Sequence, residues 1–419
     1  MTEPLNPVVY TCVVSEYNLP EFEACVARRP TDVVLVVSDD ARFKQAAKRL
    51  ANQLREALPG ARIHRPDQQA HSLRLGGDDV IECQDWAQRV LKPYLLQDDL
   101  RDKHRYLNFT GGTKAMILAL VSVGDWEILD YKANGRQELQ AVSLKADATG
   151  TLTLERSDLI KIEDVMPAAV ARLHNDHIEP VRLNRLFDNA ASLPLAEAIW
   201  KAQLQKDPTL AGLFDLLESV WSSGRDYANY RCERVEVPLP TTLDRSELKS
   251  WLDRFCKLQD GALSLKDDHL ELPGNRPGVR QRDFVAWVNA NWLEQLCGHW
   301  LIAAGLPASA IARNLKVGPD ATHSGTHREA DLVLHNRGQT RLIEVKAGLA
   351  KGHAPAELEN QVSSLTERFG KTRKALFVSP RLKQKVGSNR WENFELRCQA
   401  NQVALCCDRS SLLKFAGLS

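Results

Sequence analysis

The segment "LNFTGGTKAM" (Leu107–Met116) carries three local signals in succession. It closes the apolar stretch "RYLNF" (105–109), which reads as a strand. Two glycines follow, and "GTKAMILALVSVG" (112–124) then reads as a buried helix. A strand, a glycine turn and a helix start form an arrangement that holds a phosphate. The helix N-terminus offers free N–H groups and the positive end of its dipole, and glycine lets a ligand approach the backbone. Gly111 and Gly112 supply that approach, Thr110 or Thr113 a hydroxyl, and Lys114 a point charge. "TGGTK" lacks the first glycine of a Walker P-loop at its required spacing. The competing reading is structural, with a threonine capping the helix after a tight turn.

The flanking sequence makes this segment part of an α/β domain. "VVYTCVV" (8–14) and "VVLVVS" (33–38) are β-branched runs of buried-strand type. Helical stretches "LPEFEACVARR", 39–58 and roughly 78–96 separate the strands. "WEILDY" and a hairpin over "LQAVSL" and "TGTLTLE" complete the unit. Such alternation implies a Rossmann-like domain over residues 1–160, a mostly parallel sheet with helices on both faces. The loop after the first strand, "VSEYNLP", places Ser15 and Asn18 at the same sheet edge as "TGGTK", the edge where open α/β sheets bind ligands. No GxGxxG follows that strand, which excludes a dinucleotide-dependent enzyme.

The composition is that of an ordinary soluble protein of two or three domains: 419 residues, 43% hydrophobic and 26% charged. No apolar run approaches the roughly 18 residues of a membrane helix, and the N-terminus shows no secretory pattern. The nine cysteines include no CxxC spacing, which points to reduced thiols and a cytoplasmic location. The net charge of +1 does not advertise a nucleic-acid binder, but residues 368–390 are basic with no acidic residue among them. That stretch, with Arg373 and Lys374, is either a solvated face or a track for phosphates.

Residues 161–275 read as mostly helical. "SELKSWLDRFCKL" places Leu248, Trp251, Leu252, Phe255 and Leu258 on one stripe. The following "ALSLKDDHLEL" (262–272) reads as a hairpin, so the region is a connector with a winged-helix-like order. "LPGNRPG" separates it from a third region, 276–419.

The chemistry of that third region lies in "EADLVLHNRGQTRLIEVKAG" (329–348). Two strands flank "NRGQ". If His335 pairs with Thr340, Asp331 stands opposite Glu344 and Lys346 shares their face, while Ala330, Leu332, Leu334, Ile343 and Val345 form an apolar rear face. Asp331 and Glu344 can hold Mg²⁺ or Mn²⁺, and Lys346 can position a water or stabilise charge on a phosphorane. The alternative is an edge hairpin with cross-strand ion pairs.

This hairpin resembles the PD-(D/E)xK nuclease superfamily, with Asp331, Glu344 and Lys346 as catalytic residues and Asp331 and Glu344 as metal ligands. The resemblance also implies an acid on an upstream helix. Glu294 is the candidate, although the stripe Val285, Val288, Trp292 and Leu296 places it on the solvent side. Gln361 is a second addition. Joined to the "TGGTK" domain, the chain resembles the CRISPR-associated Rossmann-fold (CARF) nucleases of type III antiviral systems. That resemblance implies a homodimer and an allosteric cyclic oligoadenylate, cyclic tetraadenylate first, bound by Ser15, Asn18, Thr110, Gly111, Gly112, Thr113 and Lys114. It also implies cleavage of RNA, DNA or both, with single strands the expected substrate, and no membrane partner. An unregulated restriction- or repair-type nuclease and a ligand-sensing winged-helix regulator are the competing functions.

Overall fold

The computed structural model describes residues 4–66, 79–123, 125–133, 135–146, 152–180, 187, 189–223, 235–259, 263–272, 281–318, 328–348, 358, 360, 362–363, 365, 369–370 and 372–418. The N-terminal unit is built on strands β1 (Asn6–Val13), β2 (Pro30–Val36), β3 (Arg62–His64), β4 (His104–Asn108), β5 (Ile128–Lys132), β6 (Glu138–Ala146) and β7 (Leu152–Lys161). They form one sheet in the order β3-β2-β1-β4-β5-β6-β7. β1 to β5 are parallel and the last two antiparallel. Alternation along β1 sends Val8, Tyr10 and Cys12 against helices Leu19–Arg28 and Ala41–Ala57 on one face. Val9 and Val13 pack with helix Lys114–Val123 on the other. The chain order reverses between β1 and β4, so the crevice of this doubly wound sheet opens where those two strands end.

The rest of the chain is mixed α/β. β8 (His177–Pro180) is the edge strand of a second sheet. β9 (Val235–Pro238), β10 (Ser264–Lys266) and β11 (His269–Leu272) form a small antiparallel sheet after the helices. β12 (Ile311–Gly318), β13 (Arg328–Asn336), β14 (Gln339–Lys346), β15 (Arg373–Val378) and β16 (Val403–Cys406) complete the second sheet, in the order β16-β15-β14-β13-β12-β8. The stripe of helix Arg245–Leu258 is buried as its spacing requires. It packs in one core with helices Ser192–Leu204 and Trp292–Ala303 and with Leu332, Leu334, Ile343 and Val345. Ala330 departs from the expected rear face and packs with Leu315, Val317 and Val333 on the opposite side of the sheet. Among the described residues no helix is long and apolar enough to cross a membrane.

Candidate functional site

Two sites stand at strand ends. At the first, a cavity of about 320 Å³ opens beyond β1, β4 and β5, lined by Ser15, Tyr17, Thr110, Gly111, Gly112 and Lys132, with Glu21 and Glu23 also in its wall. Asn108 Oδ1 accepts the Thr110 N–H at 2.9 Å, and Thr110 Oγ1 accepts the Lys132 N–H at 2.8 Å, so the loop is tied to both neighbouring strands. Gly112 has φ +82°, and a Cβ there would stand 2.6 Å from Val13 Cγ1. Both conformation and space therefore require glycine.

Of the residues expected here, Ser15, Thr110, Gly111 and Gly112 line the cavity, while Asn18, Thr113 and Lys114 are not in its wall. Asn18 is buried behind it and closes the loop by accepting the Ser15 N–H at 2.9 Å. Thr113 Oγ1 accepts the Met116 N–H at 3.2 Å, which is helix capping. Lys114 is exposed at the helix start.

Sequence reasoning missed the two buried acids. Burial pushes the Glu21 carboxyl up to about 8, against the lowering effect of hydrogen bonds from its own backbone and Ser15. Glu23 pairs with Lys132 at 3.0 Å, with side chains 2% and 1% exposed. The signal was "ILDYK", a strand with Asp130 and Lys132 where a central parallel strand is ordinarily apolar. Asp130 is held by Arg28 at 2.7 and 2.8 Å and by the Tyr10 hydroxyl at 2.9 Å.

The second site is the base of the β13–β14 hairpin. The register places His335 opposite Thr340 and Leu332 opposite Ile343. Arg337 and Gly338 turn the chain with φ of +53° and +66°, the two left-handed residues of a type I′ hairpin. Beyond the Leu332–Ile343 rung, the Asp331 carboxylate accepts the Val345 N–H at 2.7 Å. Lys346 Nζ lies 2.6 Å from Glu344 Oε1 and 3.9 Å from Asp331 Oδ2, so the ammonium stands between the two carboxyls. Burial, then the charges of Glu344 and Glu294, push the Asp331 carboxyl well up. The same carboxylates raise Lys346 against the effect of burial.

Glu294 is 3% exposed and faces this site, which corrects the solvated placement read from the helical stripe. The residues before it, Trp287–Asn291, form a π-turn. Trp292 and Leu296 follow that turn as Glu294 does, so Glu294 still lies opposite them; it is buried because helix Trp292–Ala303 is covered on every side, residues 292 to 298 all being buried. Burial pushes its carboxyl up to about 7, and hydrogen bonds from Asn291 and Asn314 oppose the shift.

Buried oxygens without a hydrogen-bond partner remain on Glu294, Glu344 and Asn314. These are hard donors, and they suit Mg²⁺ or Mn²⁺ in kind. Among the described residues, no three His, Cys, Asp or Glu side chains are grouped closely enough to hold a metal ion by themselves. Gln361 lies outside the described residues. Arg373 and Lys374 begin β15, where Arg373 pairs with Arg341 and only Val378 reaches Lys346. Arg373 and Lys374 are therefore three and two residues along the sheet from Glu344, roughly 10 and 7 Å.

The tip of this hairpin rests on the first unit. The Gly338 N–H donates to Asp164 Oδ1 at 3.0 Å, and His335 Nε2 lies 3.3 Å from Glu23 Oε1. Lys132 donates to Arg136 O, and a Cβ on Gly338 would stand 2.7 Å from that same oxygen.

The fold is similar, along the whole chain, to two solved structures. One is protein VC1899 from Vibrio cholerae, 14% identical, with a TM-score of 0.69 over 98% of this chain and 96% of that one. The other is Can2 from Sulfobacillus thermosulfidooxidans in complex with cyclic tetra-adenylate, 16% identical, with a TM-score of 0.64 over 98% of each chain. No protein-family model matches the sequence, and no curated protein matches it. At such identities the likeness establishes the architecture: a doubly wound sheet joined to a mixed α/β unit, as the sequence resemblance implies.

Proposed function

We propose that the chain is a metal-dependent nuclease that hydrolyses phosphodiesters of RNA, DNA or both, switched on by a cyclic oligoadenylate in the cavity beyond β1 and β4. The observation that carries this reading is the β13–β14 hairpin itself. Its base holds Asp331, Glu344 and Lys346, and its tip contacts Glu23, a residue of the cavity wall. Can2, whose fold this chain shares, binds cyclic tetra-adenylate, which makes that ring the first activator to test.

Asp331 and Glu344 would hold the divalent ion, with Glu294 beside them. When bound, the ion polarises the scissile phosphate and lowers the pKa of a coordinated water. Lys346, whose ammonium stands between Glu344 and Asp331, would donate to the phosphoryl oxygens as charge develops on them. Hydrolysis by water needs no 2′-hydroxyl, so the chemistry serves RNA and DNA alike. In the cavity, Gly111 and Gly112 let a phosphate approach the backbone and Ser15 offers a hydroxyl. A ring with twofold symmetry engages two such loops in a symmetric dimer. The structure supports coupling because a ligand that displaces Glu23 or Lys132 alters the surface on which the hairpin tip rests.

The decisive experiment is cleavage of labelled single- and double-stranded RNA and DNA, with Mn²⁺ or EDTA and with cyclic tri-, tetra- or hexaadenylate. Cleavage is expected only with metal and one of the rings, and Ser15→Glu, which puts a negative charge in the cavity wall, should abolish ring binding by calorimetry while Mn²⁺ binding persists. Full cleavage without any ring would leave an unregulated nuclease on a scaffold domain, and undiminished cleavage in EDTA would remove the metal.

A further inference from the structure

We infer that Asn314 is an oxygen ligand of the divalent cation held by Asp331 and Glu344, an inference that rests on the metal-dependent reading above. Asn314 lies on β12 between Arg313, which pairs with Leu332, and Leu315, which pairs with Ala330, so it stands opposite Asp331. Its φ is +50°, the left-handed region, where asparagine is the most tolerated residue after glycine.

That conformation exchanges the faces of the strand. Ala312 packs on the side of Val333, and strict alternation would send Leu315 and Val317 to the other side, yet both pack with Val333 as well. The strand resumes its course only after Asn314 has been turned toward the helix that carries Glu294.

The amide there is 7% exposed. It lowers both the Glu294 and the Glu329 carboxyls, which is the effect of an NH₂ end turned toward them. The oxygen is therefore the end left over, and Asn314 Oδ1 is buried without a partner, as are Glu294 Oε2 and Glu344 Oε2. An unpaired buried carbonyl is costly unless something completes it.

The donor count supplies the reason. The acids alone do not group into a cation site. Another carboxylate would add repulsion to a cluster in which Asp331 is already raised by the charges of Glu344 and Glu294. A neutral amide oxygen adds a hard donor without adding charge, and hard cations accept such ligands.

The test is Mn²⁺ titration of the full chain without nucleic acid, read by the electron paramagnetic resonance of free Mn²⁺. Asn314→Gly keeps the left-handed backbone and removes the amide, and it should weaken Mn²⁺ on the order of 10- to 100-fold, the range that partners in metal sites show. Asn314→Asp keeps an oxygen and removes the donor, and it should bind Mn²⁺ at least as tightly as the parent. Parental affinity in Asn314→Gly overturns the assignment. Equal weakening in both variants overturns it too, because the NH₂ end would then be what matters. Asp331→Asn separates the two readings. If it and the parent bind Mn²⁺ alike, or neither binds, the metal mechanism falls and takes this ligand with it. If only Asp331→Asn loses the ion, the fate of Asn314 is decided by its own variants.

Discussion

Two Glu–Lys pairs sit in the wall of the cavity and at the base of the hairpin, and chemically they differ little. Glu23 and Lys132 meet at 3.0 Å, Glu344 and Lys346 at 2.6 Å. Their surroundings differ. Lys132 also donates to the Ala133 carbonyl at 3.3 Å and to Arg136 O, and one carboxylate faces it. Lys346 faces Glu344 and Asp331, with Glu294 and Glu329 close enough to feel its charge. Each pair leaves one buried carboxylate oxygen without a hydrogen-bond partner, Glu23 Oε1 and Glu344 Oε2. The difference is in charge: Glu23 Oε1 has His335 Nε2 3.3 Å away, whereas Glu344 stands among further carboxyls. A buried pair in balance fixes structure, whereas a surplus of carboxyls around one ammonium is a place for a further cation.

The sharpest way to break this contrast is to remove each lysine. Lys346→Ala should lower activated cleavage on the order of 10³-fold, the scale of losing a transition-state donor, with little change in melting. Lys132→Ala strands Glu23 without its ammonium and should cost about 3–5 kcal/mol of stability, the scale for breaking a buried pair. Denaturant unfolding run beside the cleavage assay reads both. If Lys346→Ala unfolds the chain and Lys132→Ala leaves stability intact, the two pairs have been assigned the wrong way round.

A smaller effect separates the sites by pH. The Glu21 carboxyl, raised to about 8 by burial, is neutral below that value and carries charge above it. A folded-state value raised above the unfolded one means that ionisation is disfavoured in the native chain. The metal- and ligand-free protein therefore loses stability as pH rises from the ordinary glutamate value of 4.5 to about 8, and the loss levels off above that. For the same reason an anionic ring should bind more weakly there, by up to about tenfold per pH unit for one proton. Glu21→Gln should flatten that dependence in calorimetry. An unchanged slope in the variant would place the titrating group elsewhere.

How much of this was legible follows from the range of each signal. The hairpin register could be read because "NRGQ" specifies a two-residue turn and alternation does the rest, as the pairing of His335 with Thr340 shows. The doubly wound sheet was legible for a similar reason, since β1 and β2 are continuous apolar runs. Glu294 was misplaced because a helical wheel assumes one face open to solvent, and helix Trp292–Ala303 has none across residues 292 to 298. β8 was missed because four residues carry no period of their own. Its ladder to β12 joins Glu179 to Lys316, a partner that no local pattern can name. Asn314 gave no sequence signal at all. Its role depends on a backbone angle and on Glu294, Glu329 and Asp331 reaching it from two other elements.

The smallest effect concerns the basic stretch. Its cations are largely spent within the chain: Arg381 on Asp215 and Glu218, Lys385 on the same two acids, and Lys383 over the Trp391 ring at 5.1 Å. Arg373 lies 5.6 Å from the Phe415 ring, and Lys374 Nζ donates to Ser363 Oγ at 3.0 Å. Among the described residues neither makes a charge pair, so both retain a charge for a passing strand, though at the opposite end of β15 from the rung of Lys346. A nucleic acid reaching from Glu344 to Arg373 would have to span roughly 10 Å along the sheet, one or two nucleotides of extended single strand. Charge reversal at both positions should therefore weaken substrate binding a few-fold at low salt. The slope of log K against log salt should fall by about 0.7 for each single-strand phosphate that the protein ceases to neutralise. Cleavage at saturating substrate should hold, because neither side chain is near the triad. An unchanged slope would make this end of the sheet a solvated face, and a drop in saturated cleavage would mean that the strand end shapes the acid site itself.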